Sequence, residues 1–353
     1  MSFRRAAICA GAGLGTLALA SLFVIVSFTS ALTLPTRISF QIVTGTTAGT
    51  YFPIGQLIAG LVSHPPGVDR CESAPVCGPT GLIISARTSD GAVANVLAVN
   101  QGGADSGFAQ TDVISQAIAG EGAFRKFGKQ SRIRIIADLF PEDVHLVVAR
   151  KAKIASVLDL KGKRVSIGVE NSGTSVTARA ILAAFGISER RLKLRHDSAD
   201  VDAQLLQQGR LDAFFFVGGR PVVLIDDLIA RGVARLVPIG GAGRDQLLKA
   251  DPDLSADTIP QGTYRGTLAI ETVSVQALWI VNANEPNDLI YGITKSLFNP
   301  TNRAAFDEEG GSAAFIRIGN AVRDLPAPLH PGAERYFREI NRLQRPFIRS
   351  GRS

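Results

Sequence analysis

Three short stretches carry side chains suited to holding a small ligand: "TGTTAGTY" (44–51), "FAQTD" (108–112) and "ENSGTS" (170–175). Each follows a β-prone run, is built from small or hydroxyl residues, and opens a helical pattern. In open α/β sheets, ligands bind beyond the carboxyl ends of the strands, where such loops converge. Helix N-termini there present unpaired N–H groups and a partial positive charge, which favour an anion. Gly45, Gly49 and Gly173 would let backbone approach the ligand, while Thr50, Ser172 and Thr174 would supply adjustable hydrogen bonds. Gln110 precedes a Thr-Asp helix start, and Tyr51 stands at the mouth of the first loop. Any one of these loops could equally be a turn with an N-cap. Their recurrence at matching strand-to-helix positions is what points to a shared site.

Other chemistries find little support. A phosphate-binding loop needs a lysine after its last glycine, and "GTTAGTYF" has none. His64, His145, His196 and His330 form no HExxH, and no GxSxG elbow is present. A hydrolase using Ser172 or Thr50 as nucleophile would lack a nearby base and orienting acid. His145, inside "VHLVVAR", reads as a structural or interlobe residue, and Arg220, in "VGGR", as an exposed arginine at a helix start or a carboxylate partner. The reading is therefore of a non-enzyme, with no cofactor and no metal.

The elements that must position these loops alternate along the chain. "RISFQIVTG" reads as a strand, followed by Ile54, Leu57, Ile58, Leu61 and Val62 at helical spacing. "SDGAVANVLAVNQGG" reads as a helix with Ser89 as N-cap, and "IRIIADLF" and "VHLVVAR" as β-rich runs separated by Pro141. A second set of strand and helix units follows, and the end, from "EPNDLIYGITKSLF", is mostly helical. This order predicts an α/β fold with two lobes, each a mainly parallel sheet flanked by helices. The first lobe would span 36–143 plus the returning 276–353, and the second 144–275.

The first 31 residues stand apart, with Arg4 and Arg5 followed by an uncharged run from Ala6 to Phe28. That is an export signal, cleaved after "TSA" or kept as a membrane anchor, and it predicts a periplasmic location. Cys9 sits within the apolar run. Without this segment the 353-residue chain keeps 36 Lys and Arg against 31 acids, with no basic block interleaved with aromatics. Nucleic acid is not an expected partner. Cys71 and Cys77, in "RCESAPVCGP", predict a local disulfide in an oxidising compartment; a metal site would want two more ligands, and only His64 is close in sequence.

Together "TGTTAGTYFPIG", "GGADSGFAQTDV", "FPEDVHLVVAR", "DLKGKRVSIGVENSGTSVTARAIL" and "LDAFFFVGGRP" resemble, in order and spacing, the TAXI-type solute receptors of TRAP transporters. The resemblance covers about residues 37 to 300. It implies a two-lobed periplasmic binding protein of type II-like fold. Such a receptor captures a small anionic solute, glutamate-, glutamine- or dicarboxylate-like, and delivers it to membrane permease subunits. Carried across the motifs, it implies ligand contacts from Thr44, Gly45, Thr50, Tyr51, Gln110 and Thr111 in the first lobe. In the second it implies Ser172, Gly173, Thr174, Phe216 and Val217. The first loop has fewer glycines than many relatives, and the cysteine loop is an insertion. A membrane-tethered ligand sensor is the rival reading.

Overall fold

The computed structural model of the protein describes residues 37–73 and 76–342. The expectations for residues 1–31, Cys9 included, lie outside the described residues.

The strands are β1 (Ile38–Val43), β2 (Leu82–Arg87), β3 (Ser106–Gln110), β4 (Ile133–Ala149), β5 (Arg164–Ser166), β6 (Lys193–Arg195), β7 (Ala213–Gly218), β8 (Ala234–Val237), β9 (Ser255–Ile259) and β10 (Ile270–Asn282). The helices are α1 (Tyr51–Val62), α2 (Asp69–Ser73), α3 (Ala92–Gln101), α4 (Thr111–Ala119), α5 (Gly173–Ala184), α6 (Ala199–Gln207), α7 (Val223–Ala230), α8 (Gly241–Ala250), α9 (Asn287–Leu297), α10 (Arg303–Glu309) and α11 (Pro331–Glu339).

The sheet order is β2-β1-β3-β10-β4-β7-β5-β6, with β8 on β4 and β9 on β10. In the first lobe β2, β1 and β3 run parallel; in the second β7, β5 and β6 do. The antiparallel pair β4 and β10 joins the two sets into one curled, mixed sheet. These two strands are long because their apolar runs continue through polar positions. β4 passes straight through Pro141, where two separate runs were expected. Proline lacks the ladder donor, and its partner Gln276 instead gives its N–H to the Thr111 hydroxyl at 3.3 Å.

Each lobe has its own core. Phe40, Ile42, Ile58, Phe108 and Trp279 pack in the first, where α9 and α11 return to add Ile290, Ile293 and Phe337. Val144, Leu146, Val165, Ile181, Phe215 and Val237 pack in the second. A chain of edge-to-face rings, Trp279 to Phe108 at 6.2 Å and Phe108 to Tyr51 at 5.5 Å, leads from the first core to the carboxyl ends of the strands. Such pairs fix ring orientation beyond simple burial.

Cys71 and Cys77 form a disulfide, with Cα atoms 5.3 Å apart. The bridged loop is fastened to the return segment, since Val76 O accepts from Ser296 Oγ (2.7 Å) and Asn302 Nδ2 (2.8 Å). His64 serves the same loop through Gly78 O. No helix among the described residues is long and apolar enough to cross a membrane.

Candidate functional site

Five β-to-α junctions open onto one cleft of about 620 Å³. They follow β1, β2, β3, β5 and β6, and the N-cap residues Thr50, Gly91, Gln110, Ser172 and Ser198 all line it. Of these five, only Ser172 caps its own helix with its side chain, accepting from Ser175 N at 3.1 Å. In the other four the N-cap side chain makes no such bond, although Val113 N in the first turn of α4 donates to Asp112 Oδ1 at 2.8 Å, and helix dipoles from both lobes are aimed at one space.

Of the residues expected to contact a ligand, the structure brings Gly45, Thr50, Tyr51, Gln110, Ser172, Gly173, Thr174, Phe216 and Val217 to this cleft. Thr44 and Thr111 are not in its lining. Thr44 is buried behind the first loop, its hydroxyl donating to Arg87 O at 2.7 Å. Thr111 bridges Asp253 O and Gln276 N in the wall. Thr174 also works partly as scaffold, accepting from Val217 N at 3.1 Å.

Sequence reasoning missed Asp90, Gly91, Glu142, Asp197, Ser198 and Asp202, which also line the cleft. The β6–α6 junction "HDSAD" follows a short, charged strand, "KLR", rather than an apolar run, although its order in the chain was the same. Glu142 was marked by a charged pair, "ED", inside an apolar strand run. Asn95 was missed as well: its Nδ2 donates to Thr44 O (2.6 Å) and Phe108 O (2.8 Å), tying the first and third junctions together. Ser89 does not cap α3; Gly91 does, and Ser89 Oγ accepts from Gly91 N at 3.0 Å. Gly91 sits at φ 113°, with Ser172 of the other lobe against it, so a side chain there would be both strained and crowded.

Among the described residues no lysine or arginine lines the cleft, while four acids do. Glu142 is buried at its floor, accepting from Tyr51 OH at 2.8 Å and from the Gln110 amide. Burial pushes its carboxyl up to about 8, Tyr51 and Gln110 opposing and Asp112 adding to the rise. Asp202, bonded to Ser166, is pushed by burial to about 8 as well. Near neutrality both are thus largely uncharged acids. Two acceptors here have no donor, Gln110 Oε1 and Asp202 Oδ1.

The lobes touch around this space. Thr177 Oγ1 of α5 donates to the buried Asp112 Oδ2 of α4 at 2.8 Å, and Ala94 N donates to Asn171 O at 3.2 Å. Val176 packs among Val93, Ala109 and Ile114 of the first lobe. Gly173 lies so near Gln110 that a Cβ would fall on Oε1. Behind the cleft, Arg220 is not exposed but pairs with Asp143 and Asp257. His145 is buried against Tyr264 OH at 2.7 Å and held by burial at about 4, hence neutral. Among the described residues no cluster of His, Cys, Asp and Glu could hold a metal ion.

The sequence pattern of the NMT1-like family matches residues 42–340, which contain every wall of this cleft. The chain belongs to the NMT1-like family. Its fold is shared with solved two-lobed periplasmic binding proteins. The malate-bound MatC of Rhodopseudomonas palustris is 12% identical, with a TM-score of 0.51 over 86% of this chain and 97% of that one. The methylphosphonate-bound PhnD1 of Prochlorococcus marinus is 12% identical, with a TM-score of 0.50 over 86% of this chain and 99% of that one. For this NMT1-like chain those likenesses establish architecture, and the ligand must be argued from its own cleft.

Proposed function

We propose that the protein is an exported solute-binding receptor of the TAXI type, serving a TRAP-type membrane permease, and that it binds a small carboxylate solute without chemistry. One observation carries this reading: helix N-termini from both lobes converge on a single cleft that, among the described residues, no cationic side chain lines. Backbone N–H groups would hold the solute's carboxylate, as they hold anions at helix ends generally. Of the site residues, Thr50, Tyr51 and Gln110 would grip from the first lobe, and Ser172, Gly173, Thr174, Phe216 and Val217 from the second. β4 and β10 would carry the hinge, since these two strands belong to both lobes.

A glutamate- or glutamine-like solute fits this cleft better than a dicarboxylate. An ammonium group would give donors to Gln110 Oε1 and Asp202 Oδ1, which otherwise stay unpaired. The export reading agrees with the basic-then-apolar start of the sequence.

The test is mass spectrometry of solutes released from the purified protein, followed by calorimetry with L-glutamate, L-glutamine and glutarate. Binding of an amino acid without turnover over hours supports the reading, and Gln110→Ala should weaken it. Accumulation of a product, or no carboxylate among the released solutes, would overturn it.

A further inference from the structure

β5, β6 and β7 all begin at the end of the second lobe opposite the cleft, and β4 ends there. Backbone bonds lay the loops of that pole side by side. Ala149 N donates to Asp212 O, Asp212 N to Arg164 O, Gly162 N to Arg191 O and Lys193 N to Lys163 O. The Arg235 guanidinium pins the adjoining turn through Ala152 O and Ile154 O.

The pole that results is strongly basic. Lys151, Lys153, Lys161, Arg190, Arg191 and Lys193 are exposed, and no ion pair joins any of them to an acid among the described residues. The acids of this pole are already engaged. Asp212 pairs with Arg164 at 2.6 Å, Glu189 pairs with Arg179 at 2.9 Å, and Asp159 accepts from Ala155 N and Ser156 N. Between Lys153 and Lys161 stands Leu158, 51% exposed, on a short turn held by a Ser156–Asp159 capping box. At the other end of this lobe, Asp197 and Asp202 line the cleft and no lysine or arginine among the described residues does.

We propose that this pole docks on the surface of a bilayer containing anionic phospholipid. The cations are spread along two connections, the one from β4 to β5 and the one leading into β6, which suits a broad field of negative charge rather than one bound phosphate. Their long stems can reach headgroups while the exposed Leu158 enters the interface beside them. The pole faces away from the cleft, so docking there leaves the solute site and its lips open.

The experiment is flotation of the exported chain, from residue 32 onward and so without the apolar export segment, with phosphatidylglycerol–phosphatidylcholine vesicles, against phosphatidylcholine alone, at low and high salt. Binding should require phosphatidylglycerol and be stripped by salt, since the screening length falls from about 10 Å at 0.1 M to about 3 Å at 1 M. Each cation near such a surface is worth about five-fold in partition, so Lys151→Gln/Lys161→Gln/Lys193→Gln should lose on the order of 100-fold. Leu158→Ser should weaken binding to the anionic vesicles at low salt. The melting temperature of each variant would confirm that it folds. No binding to anionic vesicles at low salt, equal binding to neutral ones, or undiminished binding by the triple variant would overturn the proposal. So would capture by immobilised poly-L-glutamate but not by vesicles, which would assign the pole to an acidic protein instead.

Discussion

Replacing Glu142 with glutamine tests the electrostatics of the cleft floor directly. The substitution keeps size and an acceptor for Tyr51 OH but removes the proton equilibrium. In the folded chain the carboxyl is raised from its ordinary 4.5 to about 8, by burial first and by Asp112 and Asp143, against the pull of Tyr51 and Gln110. A carboxyl raised on folding contributes its stability at acid pH and loses it as pH climbs through the folded value. For this pair of values the loss between pH 6 and pH 8 is about 2 kcal/mol. Asp112 and Asp138, raised to about 7, and Asp202, raised to about 8, lose stability over the same window. They do so in both proteins, so the difference between the proteins isolates Glu142. Thermal melts of the solute-free chain, followed by circular dichroism at pH 6 and pH 8, provide the assay. Glu142→Gln should gain on wild type by about 4 °C between the two conditions, at about 2 °C per kcal/mol for a chain of this size. Parallel pH dependence in the two proteins would refute the claim that folding buries this carboxyl in its neutral form.

Two further outcomes follow from the same geometry. Gly173→Ala places a methyl on Gln110 Oε1, so Gln110 must swing away from Glu142, and affinity for the copurifying solute should fall about tenfold by calorimetry. Cys71→Ser/Cys77→Ser opens a short loop that lines no part of the cleft. It should cost roughly 2 kcal/mol in denaturant melts while leaving solute affinity unchanged.

Much of the fold could be read from the chain because its periodicities are local. The run "RISFQIV" and the spacing of Ile54, Ile58 and Val62 describe buried faces that neighbours in sequence already define. Pro141 misled because its compatibility with a strand depends on what Gln276 does with its N–H, a partner 135 residues away. The glycine- and hydroxyl-rich junctions were visible by composition, whereas the β6–α6 junction has only its place in the topology to mark it. Thr44 and Thr111 carry the right chemistry but spend it on Arg87 O, Asp253 O and Gln276 N, which no spacing rule reveals. The acidity of the cleft was hidden for a related reason. Asp90, Glu142 and the pair Asp197 and Asp202 come from three separate segments and form a lining only once the sheet has curled.

That lining bears on how binding and closure are linked. Gln110 Oε1 and Asp202 Oδ1 are buried acceptors that receive no hydrogen bond from the described residues. Each such atom costs about 1–3 kcal/mol relative to a hydrated one, so together they oppose empty closure by roughly 2–6 kcal/mol. Interlobe contacts such as Thr177 to Asp112 oppose that penalty at about 1 kcal/mol per hydrogen bond. A solute that supplies both donors would remove that cost only in the closed state, and so would favour closure. Such a ligand shifts the population by that differential alone, however tightly its carboxylate is held by helix ends. A solute that satisfies the helix N-termini but offers no donor would bind and yet fail to close the lobes. The cleft's unpaired acceptors would therefore discriminate between ligands by the conformation each produces as well as by affinity.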